Sequence, residues 1–186
     1  MERREFLEWL VATGGIASLN RLGLHDLESI GREAHASAAQ APVLDAHASA
    51  LVTAAAERII PATATPGATQ AGVTRFIETM LSGWYPAPDR ERFVRGLAML
   101  DERSRAVGGR DFLAMAVSGQ EIVLQQFDDE VTALRMTTPA QASAHWFAML
   151  KYLTVWGYCT SEVGMRETLR SWPPPMRYAG NVAVAT

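Results

Sequence analysis

The chain is nearly without cysteine: Cys159 is the single one among 186 residues. A disulfide within the chain is thereby excluded, and so is a zinc site built on paired cysteines. No apolar run reaches the roughly 18 residues that would argue for a membrane-spanning helix. Positive charge is not in excess either. The formal net charge of -3 and an isoelectric point near 5.8 provide no broad basic field, so nucleic acid is not an expected partner. Also missing are a nucleophile elbow G-x-S-x-G, a dinucleotide G-x-G-x-x-G and a phosphate loop, which leaves the glycine pairs in TGG and GGRDF as turns. The four histidines, His25, His35, His47 and His145, show no H-x-x-x-H spacing, so no metal site is expected in this chain.

What is present suits one soluble globular domain. Apolar residues make up 48% and charged residues 20% of the chain, and the mean hydropathy is +0.00, outside the disordered and membrane classes. The pattern is helical throughout, with no run of strands long enough for a sheet. Asp45 can cap DAHASALVTAAAERII, whose Leu51, Val52, Ala55, Ile59 and Ile60 form a stripe ending at Pro61. After the loop PATATPGATQAG, the residues Val73, Phe76, Ile77, Met80, Leu81 and Trp84 fall at offsets 0, 3, 4, 7, 8 and 11, an amphipathic helix. Pro86 and Pro88 then break the chain. Asp89 can cap the next helix, which buries Phe93, Leu97 and Leu100 and stops at Gly108 and Gly109.

Capping boxes at Ser118/Glu121 and Thr138/Gln141, the second with Pro139 in the first helical position, start two more helices. The last, PAQASAHWFAMLKYLTVWGY, is apolar around most of its circumference and reads as one central, buried helix. From about residue 158 the character changes. Three consecutive prolines and isolated aromatics favour an extended C-terminal arm. The expected fold is all-α: a compact domain of about five helices over residues 42–186, with that arm lying across something.

The acidic clusters Asp101/Glu102 and Asp128/Asp129/Glu130 read as solvated helix faces, because adjacent acids on a helix point in different directions. His145, beside Trp146, reads as structural. Glu162 in CTSEVG reads as part of a cap with Thr160 or Ser161, with a partner contact as its other reading. Trp172, Pro173, Pro174, Pro175 and Tyr178 read as a partner interface, since aromatics beside a rigid segment bury area at small entropic cost. Packing of that arm on its own domain stays open.

The N-terminal segment has two readings. Arg3 and Arg4 stand before Phe6, Leu7 and a mildly apolar stretch, the pattern of a twin-arginine export signal, and small-residue cleavage sites follow up to Ala41. Phe6, Leu7, Leu10 and Val11 also share one face of an ordinary helix, and Glu2, Glu5 and Glu8 offset the arginines. Cleavage after residue 41 would remove four basic and six acidic residues and leave a nearly neutral domain.

Four stretches together resemble the gluconate 2-dehydrogenase subunit 3 family: ERIIPATATPGATQAGVTRFIETML, GLAMLDERSRAVGGRDF, FAMLKYLTVWGYCTSEVG and RYAGNV. The resemblance covers about residues 51–182. It implies a small, helical, non-catalytic subunit of an FAD-dependent sugar or polyol dehydrogenase. The FAD would sit in a large partner subunit of the glucose-methanol-choline type, often with a cytochrome c as electron acceptor. The small subunit would carry the export signal for both chains, which would place the complex in the periplasm and at the membrane only indirectly. On this basis Tyr158, Cys159 and Glu162 join the arm residues as the expected partner interface, with an intersubunit disulfide through Cys159 as a further expectation in an oxidising compartment. A self-contained small enzyme using His145, Cys159 or Glu162, and a cytosolic helical binding protein, are the other open readings.

Overall fold

The computed structural model describes Ser29, Ile30, Arg32 and residues 42–170. Within them run six α-helices: α1 (Ala46–Ile59), α2 (Val73–Gly83), α3 (Ala87–Gly108), α4 (Val117–Thr137), α5 (Pro139–Ala144) and α6 (Trp146–Thr160). A 3-10 turn at Phe112–Ala114 joins α3 to α4, and a π turn at Gly164–Thr168 follows α6. There are no strands among the described residues, and five of the helices are long, so the all-α expectation holds. None of these helices is long and apolar enough to cross a membrane.

Helix α6 is the hub. Twelve of its fifteen residues are buried, and it packs against all five other helices. A helix apolar all round is stable only when neighbours cover every side. Trp146 meets Phe127 of α4 edge-to-face at 4.9 Å between ring centroids, and Trp156 meets Phe76 of α2 at 5.4 Å. The face of α2 expected from its spacing is the buried one: Val73, Phe76, Ile77, Met80 and Leu81 all lie in the core. Trp84 departs from that pattern. The helix ends at Gly83, Trp84 leaves the helical path with φ -120°, and the residue is 50% exposed.

Caps explain where the helices begin. Asp45 accepts a hydrogen bond from the Ala48 amide at 2.7 Å, as its position before an apolar stripe implies. Helix α3 ends at Gly109, which takes the left-handed conformation (φ 68°) that terminates helices at low cost for glycine. Three expected caps are not formed. Helix α3 starts after Pro86, so Asp89 lies inside its first turn and pairs with Arg92 at 2.8 Å. Helix α4 starts after Ala116 without a side-chain cap, before Ser118 can act as one. Its first turn is tied down instead by Gln120, whose side chain donates to the Phe112 carbonyl at 3.0 Å. Thr138 does precede α5, with Pro139 first in the helix, but its hydroxyl meets the Gln141 side chain rather than a backbone amide.

The expected last helix is two. His145 is extended (ψ 131°) and its Nδ1 accepts from the Phe147 amide at 3.2 Å, ending α5 and capping α6 in one residue. The break turns Ala142, Trp146 and Phe147 all inward. Burial pushes the His145 pKa down, and the nearby Arg103 acts in the same direction against the attraction of Glu130. Both effects favour the neutral imidazole, the form in which Nδ1 can accept.

Candidate functional site

The two most distinctive stretches of the sequence, IIPATATPGATQAGV and GYCTSEVG, come together in space. The loop between α1 and α2 folds over the Glu57 carboxylate, whose Oε1 accepts from the Ala62 amide at 3.0 Å and Oε2 from the Thr69 amide at 2.9 Å. Burial of Glu57 opposes its charge, but the hydrogen bonds from Thr69 and Ala62 outweigh that and hold its pKa below the ordinary value. Gly67 lies so close that a β-carbon would overlap Glu57 Oε1 and come within 2.6 Å of the Ala62 nitrogen. The Gly67 amide donates to the Gln70 side chain at 3.0 Å, closing the turn.

From the other side, the Tyr158 hydroxyl reaches the Pro66 carbonyl at 2.7 Å and the Thr168 hydroxyl at 2.7 Å. One phenol thus joins the α1–α2 loop, the end of α6 and the π turn. Ser161 continues the junction: its Oγ donates to the Tyr158 carbonyl at 2.7 Å and accepts from the Gly164 amide at 2.9 Å. The result is a braced loop whose outer residues, Pro61 to Ala64, are exposed.

A second arrangement ties α1 to α3. Asp101 is 5% exposed. Its Oδ1 accepts from the Phe112 amide at 2.9 Å, and its Oδ2 meets His47 Nε2 at 2.6 Å. The bond to Asp101 raises the His47 pKa against the opposing effect of burial, with the charges of Asp101, Asp45 and Asp111 adding to the rise. The reading of Asp101 as solvated is corrected here; only its neighbour Glu102 is exposed. In the second acidic cluster, Asp128 is half-buried and pairs with Lys151 at 2.7 Å, and Glu130 pairs with Arg103 at 2.8 Å. Among the described residues no three His, Cys, Asp or Glu side chains gather as a metal site would require.

A family model described as gluconate 2-dehydrogenase subunit 3 matches residues 46–175, well over half of the chain. The chain belongs to this family. No curated protein and no solved structure matches it. The RYAGNV element of the resemblance lies beyond the matched span.

In this subunit 3 chain the expected interface residues separate into groups. Tyr158 is corrected from a partner contact to an internal strut, 3% exposed and committed to Pro66 and Thr168. Glu162 is exposed and pairs with Arg166 at 2.6 Å; the capping falls to its neighbour Ser161. Cys159 is half-buried, and burial pushes its thiol up to about 12. Such a thiol is protonated and a poor nucleophile. A thiol reagent at about pH 8 is expected to leave the folded chain unmodified and to label it once it is denatured; labelling of the native protein at the rate of free cysteine would contradict the burial. Trp172, Pro173, Pro174, Pro175 and Tyr178, and at the other end Arg3, Arg4, Phe6 and Leu7, lie outside the described residues, as do His25 and His35.

The residues of the self-contained enzyme reading do not converge. His145 caps the start of α6, and Cys159 and Glu162 stand at or beyond its end. At 1.5 Å per residue that is a separation of about 20 Å. Sequence reasoning missed Asp101 and Glu57. Nothing in a helical D-E-R run marks Asp101 as buried, whereas Glu57 stands immediately before a proline- and glycine-rich loop with open backbone amides, which was a usable sign.

Proposed function

We propose that this chain is the non-catalytic small subunit of a periplasmic, FAD-dependent dehydrogenase acting on a sugar or sugar derivative. It would stabilise and co-export a large subunit of the glucose-methanol-choline type. Membership of the gluconate 2-dehydrogenase subunit 3 family carries the reading, since the family is named for a subunit of a dehydrogenase. The use made of the distinctive residues supports it: Glu57, Tyr158 and Ser161 are taken up in bracing a surface loop. The hydride and the proton leaving the alcohol would be handled in the large subunit, where the flavin accepts the hydride and passes electrons to a cytochrome c. Arg3 and Arg4 would address both chains to the export machinery.

The test is coexpression with a large flavoprotein subunit of the glucose-methanol-choline type. Flavin absorbance and dehydrogenase activity are expected to travel with the complex and to be absent from the isolated small subunit. Replacing Arg3 and Arg4 together by lysine is expected to leave both chains in the cytoplasm. Flavin bound by the isolated chain, or activity from it, would overturn the non-catalytic reading, and export of the large subunit in the absence of this chain would overturn co-export.

A further inference from the structure

The end of α1 meets α4 and α6 at a crevice of about 280 Å³ beside the braced loop. Leu124 and Phe147 give it an apolar floor, and Arg58, Lys151, Asp128 and Glu121 line it as well. Arg58 stands out among them. Its Nε is buried, and no hydrogen-bond partner for it exists among the described residues. A buried donor left without an acceptor is destabilising, more so on a charged group, and more than nine in ten buried polar groups in folded proteins are satisfied.

The neighbouring acids do not supply what Arg58 lacks. Asp128 is engaged by Lys151 at 2.7 Å. Glu57, adjacent in sequence, holds the Ala62 and Thr69 amides. Glu121 is exposed, and no ion pair within 4.0 Å joins it to Arg58. The chemistry of the missing acceptor follows from the guanidinium, whose Nε–H and an Nη–H form two parallel donors that match the two oxygens of a carboxylate. A phosphate would bring a second negative charge against Asp128 and Glu121 in a small space, which disfavours it.

We propose that this crevice seats an aspartate or glutamate side chain of the large dehydrogenase subunit, with Arg58 as its anchor. The proposal rests on the small-subunit reading above. It accounts for the orphaned donor, and it gives the braced loop a purpose: Pro61 to Ala64 would form a rigid rim beside the anchor, where order lost on binding is small. Arginine is among the residue types most enriched at the hot spots of interfaces.

The affinity of the full small subunit for the large one, measured by titration, tests it. Arg58→Gln is expected to weaken binding at least tenfold and to flatten its salt dependence, because the interfacial ion pair is gone. Arg58→Lys, which keeps the charge but not the paired donors, is expected to fall between Arg58→Gln and the wild type. Glu121→Gln is expected to bind as well as the wild type or more tightly. Should Arg58→Gln not fold, as judged by its melting temperature, Arg58→Lys carries the same test. Binding by the folded variants within twofold of wild type, an unchanged salt slope, or a weakening by Glu121→Gln comparable to that of Arg58→Gln would overturn the anchor while leaving the small-subunit reading intact. Failure of the wild-type chain to bind any flavoprotein would overturn both.

Discussion

Gly96→Ala is expected to destabilise the chain, although in a bare helix the same change would stabilise it by about 1 kcal/mol. Gly96 lies within α3, where intrinsic propensity favours alanine. Packing decides against it. A β-carbon at position 96 would overlap the Trp146 ring and lie 2.5 Å from the Trp146 β-carbon. That β-carbon is fixed to the backbone of α6, and the ring is wedged between Phe127 at 4.9 Å and Phe147 at 5.7 Å. The side chain cannot rotate away, so α3 and α6 must separate where Gly96 meets Trp146. Overpacking of this kind costs roughly 1–3 kcal/mol, occasionally more. Set against the helix preference for alanine, the net expectation is a loss of about 1–2 kcal/mol, or a melting temperature lower by about 2–8 °C. Thermal unfolding followed by circular dichroism measures it; a melting temperature equal to or above wild type would show that the two helices are not in close contact at this point.

Asp101→Ala is expected to have the larger effect, about 3 kcal/mol, equivalent to about 6–12 °C. The substitution leaves the Phe112 amide, beside a fully buried ring, without its acceptor and releases His47 from α3. Asp101→Asn keeps an acceptor for the amide and is expected to lose less than half as much. A pH dependence accompanies the pair. Because its bond to Asp101 raises the His47 pKa, the folded chain holds that proton more tightly than the unfolded chain does. The contribution of the pair is therefore complete below the unfolded value, near 6.5, and is lost as pH rises through the higher folded value. The stability difference between wild type and His47→Gln should be present at about pH 5.5 and shrink towards about pH 9. A difference that grew with pH would mean that the proton is held less tightly in the folded chain.

The helices were largely legible because their signals are local. The spacing of Val73 to Leu81, the carboxylate of Asp45 before an apolar stripe, and glycine at position 109 each act within one or two turns. What failed depended on distant partners. Asp101 looked solvated because its two partners are 54 and 11 residues away, and a charged side chain is assigned to water unless they are known. The division of the last helix at His145 has no proline or glycine to announce it; it follows from the need to turn Ala142, Trp146 and Phe147 inward together. At the candidate site, the sequence marked the right stretches but gave Tyr158 the wrong direction. A tyrosine after an apolar helix fits a partner surface as well as an internal bond, and only the position of the Pro66 carbonyl separates the two.

The bond from Tyr158 to Pro66 joins residues 92 positions apart. Closing so long a segment carries an entropic penalty that local turns do not. During synthesis the α1–α2 loop can therefore gather around Glu57 early, but its outer brace arrives only after α6 has been made. The ordering of that surface thus becomes a late event in folding, one that reports completion of the domain. Any partner that recognises the braced loop would in effect be selecting finished chains over nascent or truncated ones.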